Sequence, residues 1–177
     1  MQLEILQHSS RSINSIYIYK NFLEDKEKLN LYKNKITNHT YSDLMNRETN
    51  VKANMTKYDD LLKDNDFYSL HQSFLKTVSN TIKLRSPSEL IPFKIFNSWG
   101  MSHYKGDHTI AHVHHCLFAG VFYIDVPCET FIRFEEYNCN YLLENNLFIF
   151  FPGYTVHEVS THTSDVPRIS MAFNIDV

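Results

Sequence analysis

The chain has 177 residues and a mass of 20.9 kDa, enough for one packed core and too little for a second large domain. With 43% hydrophobic, 14% aromatic and 21% charged residues it is too apolar for a disordered polypeptide. A net charge of −3 and a pI near 6.3 give no summed positive field to hold a phosphate backbone, so strong nucleic-acid binding is not expected.

In chain order, Leu3 to Gln7 and Ile13 to Tyr19 read as short strands from their β-branched and aromatic content, and they would open a sheet. A weak helical period covers Leu23 to Ile36. The Asn-rich stretch from Thr37 to Lys57 has no period and reads as a lid-like loop. From Asp66 to Leu84 the residues Phe67, Leu70, Phe74, Val78 and Ile82 recur at steps of three and four behind a cap at Asp64/Asn65. That predicts a helix with one face packed on a sheet. Past the break at Ser86-Pro87 the pattern turns to strands, predicted over Phe93–Tyr104, His112–Asp125, Glu129–Glu135, Leu147–Phe151, Val156–Ser160 and Arg168–Ile175. Many short strands without alternating helices point to a mostly β fold, a double-stranded β-helix of the jelly-roll, cupin-like kind with helices packed on one sheet. The organisation expected is a single domain over residues 1–177, with 1–90 as helical support carrying the first strands and the lid-like loop, and 91–177 as the roll.

Three cysteines, Cys116, Cys128 and Cys139, show no Cys-x-x-Cys spacing, which argues against a disulfide framework or a thiolate zinc site and fits a reducing compartment. The opening MQLEILQHSSRS lacks a basic start followed by an apolar run, and no stretch reaches the length of a membrane span. A soluble cytoplasmic protein is expected. The aromatic strand Leu147–Phe151 suits a core as well as a subunit contact, which leaves a homodimer open.

Ten histidines are the unusual feature, concentrated between His103 and His157. In His112-Val113-His114-His115 an extended backbone sends His112 and His114 to one face, a two-point metal grip, although satisfied polar histidines have the same spacing. His157 follows the apolar strand Leu147–Phe151 and the turn Pro152-Gly153, from where the next strand could return it to the same mouth as a third ligand. The plainer alternative is a surface histidine. In the last predicted strand Arg168, Ser170, Ala172 and Asn174 share one face, and Ile169, Met171, Phe173 and Ile175 the other. The apolar face goes to packing. The polar face offers a guanidinium able to take a carboxylate bidentately and a hydroxyl able to add one hydrogen bond, unless Arg168 is a surface residue at the strand start.

The order His112-x-His114, then a distant His157, then Arg168-x-Ser170 resembles the iron(II)- and 2-oxoglutarate-dependent oxygenases. Tyr104-x-Gly106, the run Ala119-Gly120-Val121-Phe122-Tyr123, Leu147-Phe148-Ile149-Phe150-Phe151-Pro152 leading to His157-Glu158-Val159, and Arg168-Ile169-Ser170-Met171-Ala172-Phe173-Asn174 extend the likeness. These are similar to a prolyl-hydroxylase-like group common in phages and marine bacteria, over roughly residues 93–175. The resemblance implies iron(II) held by His112, His114 and His157 as catalytic centre, with 2-oxoglutarate on the metal and its 5-carboxylate on Arg168 and Ser170. It also implies dioxygen as cosubstrate and hydroxylation of a C–H bond with release of succinate and CO2.

Tyr104, Asn97 and Tyr123 are candidates to hydrogen-bond the cosubstrate, with core or rim placement as the plainer alternative. His103, His108, His115 and His162 are left as groups behind the ligands, facing substrate or at the surface, and Asp107 as a solvated turn residue. The usual triad of that family has a carboxylate two residues after the first histidine, where this chain has His114. Three neutral imidazoles would leave the metal more electrophilic and more weakly held. The substrate, a small molecule or a peptide, would be selected by the 37–57 stretch, in the host cytoplasm if the gene is a phage's. Two other readings remain from the sequence: a three-histidine, cupin-like metal enzyme that does not use 2-oxoglutarate, which leaves Arg168 and Ser170 unexplained, and a non-catalytic binding roll.

Overall fold

The structure, a computed structural model, describes residues 1–7, 14–39, 50–85 and 92–177. The predicted break at Ser86-Pro87, the start of the second strand at Ile13 and residues 40–49 of the lid-like stretch lie outside these.

Strands β1 (Gln2–Gln7) and β2 (Ser15–Lys20) pair antiparallel and open the larger sheet as expected. Helix α1 (Lys26–Thr37) begins at Asp25, whose carboxylate accepts from the Glu27 and Lys28 amides, the usual use of an acidic N-cap. It starts later than the predicted Leu23 because that residue's backbone is already engaged by Asn146: its amide donates to Asn146 Oδ1 and its carbonyl accepts from Nδ2. The end of the lid-like stretch is not all loop. Two short strands, β3 (Val51–Lys52) and β4 (Asn54–Met55), add to opposite sheets, and elements of two residues leave no periodic signal in a sequence.

After the short α2 (Asp60–Lys63) comes α3 (Asn65–Arg85), with Phe67, Leu70, Phe74, Val78 and Ile82 all buried. The remaining strands are β5 (Lys94–His103), β6 (His108–His112), β7 (Phe118–Asp125), β8 (Phe131–Phe134), β9 (Cys139–Leu142), β10 (Leu147–Pro152), β11 (His157–Val159) and β12 (Arg168–Asp176), with a 3-10 turn at Glu135–Tyr137 before β9. They form a seven-stranded sheet ordered β1-β2-β10-β7-β12-β5-β4 and a five-stranded sheet ordered β3-β6-β11-β8-β9. The described pairings are all antiparallel. The result is a double-stranded β-helix with helices on the outer face of its larger sheet.

Period-two alternation divides the core into two layers. Phe148 and Phe150 on β10, Phe122 on β7 and Met171 and Phe173 on β12 face the helices, where Phe74 sits 4.5 Å from Phe173 and 4.7 Å from Phe148 between ring centroids. Leu147, Ile149 and Phe151 face inward with Val121, Ile132 and Val159. The apolar run from Leu147 to Phe151 is therefore a strand buried on both faces, with no surface left for the subunit contact that its composition also allowed. Among the described residues no helix is long and apolar enough to cross a membrane.

One predicted strand is divided. Instead of a continuous run from His112 to Asp125, β6 ends at His112 in the small sheet and β7 begins at Phe118 in the large one. In the crossing the His114 amide donates to the Gly153 carbonyl at 2.7 Å and the Gly153 amide to the Leu117 carbonyl at 3.1 Å. A Cβ on residue 153 would lie 2.1 Å from the Cys116 carbonyl oxygen, so only glycine lets the two segments approach this closely.

Candidate metal centre

His112 and His157 face each other across the β6–β11 ladder, with ring centroids 4.3 Å apart. The His112 Nδ1 lies 2.8 Å from the Ile110 carbonyl and the His157 Nδ1 3.0 Å from the Thr155 carbonyl. A carbonyl only accepts, so each Nδ1 carries the proton and each Nε2 keeps its lone pair. His114, in the crossing, brings its ring 5.0 Å from His112 and 5.2 Å from His157. One donor atom of each histidine lies within 4.8 Å of the others. Strand alternation, the expected cause, does not bring His112 and His114 together; the bend between the sheets does.

Burial lowers all three pKa values. It takes His157 down to about 3, with further repulsion from His112 and His114 against the Thr155 bond. It takes His114 to about 4, where His112 adds and Asn174 opposes. It lowers His112 against the opposing Ile110 bond. At neutral pH the three rings are uncharged donors, an all-imidazole set suited to iron, zinc, nickel or copper.

The histidines stand at one end of a cavity of about 490 Å³, its open mouth included, walled by β5, β7, β10 and β12 of the large sheet and by β3, β6, β8 and β11 of the small one. Cross-strand register orders its wall: Trp99 lies opposite Ala172, Met101 opposite Ser170 and His103 opposite Arg168. Trp99 stacks on His114 with centroids 6.3 Å apart, which marks the metal end. Arg168 marks the other, about 13 Å of strand from Ala172. Its side chain is 1% exposed, and neither Nε nor Nη1 has a hydrogen-bond partner; the Ser170 Oγ is likewise buried and unpartnered. Among the described residues no aspartate or glutamate lines the cavity. Burial lowers the Arg168 pKa while Tyr123, Cys128 and Asp107 oppose it, and a guanidinium stays charged over the physiological range. A buried charge in this state is incomplete without an anion.

Six of the residues singled out in the sequence thus meet in one cavity: His112, His114, His157, Arg168, Ser170 and Tyr123. Tyr123 pairs with Ser170 across the sheet, and burial raises its phenol to about 12 against the pull of Arg168. Asn97 lies instead in an adjoining outer cleft with His112, His114, His115 and Asn174, its Oδ1 buried without a partner. Tyr104 is not on the cavity wall. β5 ends at His103, and the turn through Gly106, whose φ is +89°, carries Tyr104 to the surface at 40% exposure. Asp107 caps that turn by accepting from the Tyr104 amide.

Of the histidines left unranked, His103 is on the cavity wall and His115 in the outer cleft, whereas His162 is buried against the Val166 carbonyl and Cys128. Trp99 is a wall residue that sequence reasoning missed, and His103 one that it left unranked. Their signal was alternation: Trp99, Met101 and His103 fall on one face of the strand predicted over 93–104.

No protein-family model and no curated protein matches the sequence. Solved structures match in shape. A viral collagen prolyl hydroxylase of Paramecium bursaria Chlorella virus-1, in its 2-oxoglutarate complex, superposes with a TM-score of 0.68 at 11% identity, over 92% of this chain and 96% of that one. A prolyl-4-hydroxylase of Pseudomonas putida gives 0.66 at 11% identity, over 92% of each chain. HygX of Streptomyces hygroscopicus, with nickel and 2-oxoglutarate bound, gives 0.67 at 7% identity, over 93% of this chain and 83% of that one. Identities this low establish a shared fold.

Proposed function

We propose that this chain is a non-haem iron(II)- and 2-oxoglutarate-dependent dioxygenase that hydroxylates a C–H bond of a small-molecule or peptide substrate and releases succinate and CO2. One observation carries the reading: three neutral histidines with inward-facing donors share a cavity with a buried arginine that lacks a partner. A metal fits the first end and a carboxylate the second, and 2-oxoglutarate has a chelating keto acid at one end and a carboxylate at the other. The fold neighbours that hold 2-oxoglutarate, one of them with nickel, support the same pairing. A prolyl hydroxylase solved in complex with a hypoxia inducible factor peptide fragment and HygX solved with hygromycin B bound keep both peptide and small-molecule substrates in view.

Iron(II) with bound 2-oxoglutarate supplies the oxidising power, through dioxygen-dependent decarboxylation of the keto acid. The chain does the rest. His112, His114 and His157 hold the metal, with two of the rings fixed by the carbonyls behind them. Arg168 and Ser170 hold the distal carboxylate, and the neutral Tyr123 phenol stands beside them. Val121, Ile132, Phe151, Val159 and Ala172 keep the space between dry, which strengthens both polar ends.

The all-imidazole donor set also suits a three-histidine enzyme that uses no keto acid, although that reading leaves Arg168 without an anion. Anaerobic titration of the apoprotein with iron(II) and then 2-oxoglutarate separates the two by the visible charge-transfer band of a chelated keto acid. The band is expected in the wild type. His157→Ala should abolish iron binding. Arg168→Ala should keep iron and weaken 2-oxoglutarate by about tenfold to a hundredfold, the loss of a charged hydrogen-bond pair. Iron without the band sinks the 2-oxoglutarate reading in favour of the three-histidine one, and no iron at all sinks both.

A further inference from the structure

The arginine end of the cavity holds another polar side chain that the roles above leave unused. His103 closes β5 directly opposite Arg168 in the ladder, is 2% exposed and lines the cavity. Its Nε2 lies 3.5 Å from the buried Thr109 Oγ1, at the limit of a hydrogen bond, and its Nδ1 is enclosed with no partner. Leaving a buried polar atom unpaired is unfavourable, and packing alone would be served by an apolar side chain. Burial, and then the charge of Arg168, hold the ring neutral. A neutral imidazole has one N–H to place. The Thr109 hydroxyl both donates and accepts, so it can donate to Nε2 and leave the proton on Nδ1.

In that tautomer Arg168 Nε, Arg168 Nη1, Ser170 Oγ and His103 Nδ1 are four unpartnered groups at one end of the cavity. A carboxylate offers about four lone-pair sites across its two oxygens. We propose that His103 is the third side chain holding the distal carboxylate of the keto diacid, its Nδ1–H donating to a carboxylate oxygen beside Arg168 and Ser170, with Thr109 fixing the tautomer. The inference rests on the cosubstrate reading above. It makes His103 a specificity determinant for keto acids with a second carboxylate over those without one.

The test compares two keto acids in the wild type, His103→Phe and His103→Gln, each loaded anaerobically with iron(II) and followed by the charge-transfer band. 2-Oxoglutarate has the distal carboxylate; 2-oxovalerate is the same chain with a methyl in its place. His103→Phe should bind iron as the wild type does, bind 2-oxoglutarate about tenfold more weakly and bind 2-oxovalerate unchanged. His103→Gln, which keeps an N–H donor, should recover most of the loss. Thr109→Val should weaken 2-oxoglutarate alone, by a smaller factor. Equal 2-oxoglutarate affinity in His103→Phe and wild type overturns the proposal, as does an equal loss for both keto acids, which marks a structural role. A wild type that binds iron and neither keto acid overturns the cosubstrate reading and this inference with it.

Discussion

Single side chains at this site take their chemistry from what lies behind them. His112 and His157 each donate to the carbonyl two residues earlier, Ile110 and Thr155, so the orientation of both rings is local and comes with the strand ends that carry them. The same dependence on neighbours separates the three thiols. Burial pushes Cys116 up to about 12, and burial likewise raises Cys139. At Cys128 burial also works against the thiolate, but hydrogen bonds from Thr163, Thr130 and Ser164 outweigh it and bring the pKa below the ordinary value. The thiol lies 3.4 Å from His162 Nδ1, whose Nε2 is engaged by the Val166 carbonyl. Nucleophilicity follows the thiolate. Iodoacetamide at neutral pH should therefore alkylate Cys128 first, as peptide mapping would read, and Cys128→Ser should remove the fast phase; prior labelling at Cys116 would contradict the assignment.

Elements hold these residues, and α3 does so partly through a histidine. His71 is buried on α3 with its Nε2 3.0 Å from the Ser98 Oγ on β5, and burial lowers its pKa from 6.5 to about 4. A folded-state pKa below the unfolded one means that the unfolded chain binds the proton first. The stability is complete above about pH 6.5 and falls as the pH drops towards 4, at about 1.4 kcal/mol per pH unit for one proton. His71→Gln should flatten the acid limb of stability against pH by that amount in urea melts, and an unchanged limb would mean that His71 is protonated in the fold. The β10–β11 turn is a second such element. Gly153→Ala places a methyl against the Cys116 carbonyl and moves the segment that carries His114, so metal affinity should fall about tenfold or more, as a shift of this size does to ligand geometry; unchanged affinity would show that the crossing has slack. Sequence pattern reveals such elements unevenly. The α3 face was legible because five apolar residues repeat over a long helix, and β12 because its alternation sets Arg168 and Ser170 against Ile169 and Met171. The division between β6 and β7 was not, since the chain changes sheets inside a segment whose composition is β throughout. β3 and β4 are too short to show a period, and the loss of Tyr104 to the surface depends on a positive φ at Gly106 that composition does not specify.

Across the whole molecule the candidate site is a seam between the two sheets. His112 and His157 belong to the five-stranded sheet, while His103, Arg168 and Ser170 belong to the seven-stranded one. A ligand that reaches from the metal to Arg168 ties the sheets together across a cavity that no acidic side chain lines among the described residues. With a divalent metal on neutral imidazoles and a guanidinium at the far end, each end is a buried cation that repels the other, and a dianion relieves both. Metal and 2-oxoglutarate should therefore bind cooperatively, and by linkage the factor by which one raises the affinity of the other is the same in both directions. A ligand at a hundred times its Kd stabilises a fold by about 2.7 kcal/mol, and each kcal/mol moves the Tm of a chain this size by about 2–4 °C. Anaerobic melts should show iron(II) and 2-oxoglutarate together raising Tm by more than the sum of their separate shifts. Arg168→Ala, which removes the repulsion, should keep or raise the iron shift and lose the excess. Additive shifts in the wild type would mean that the two ends do not sense each other and that no single ligand spans the seam.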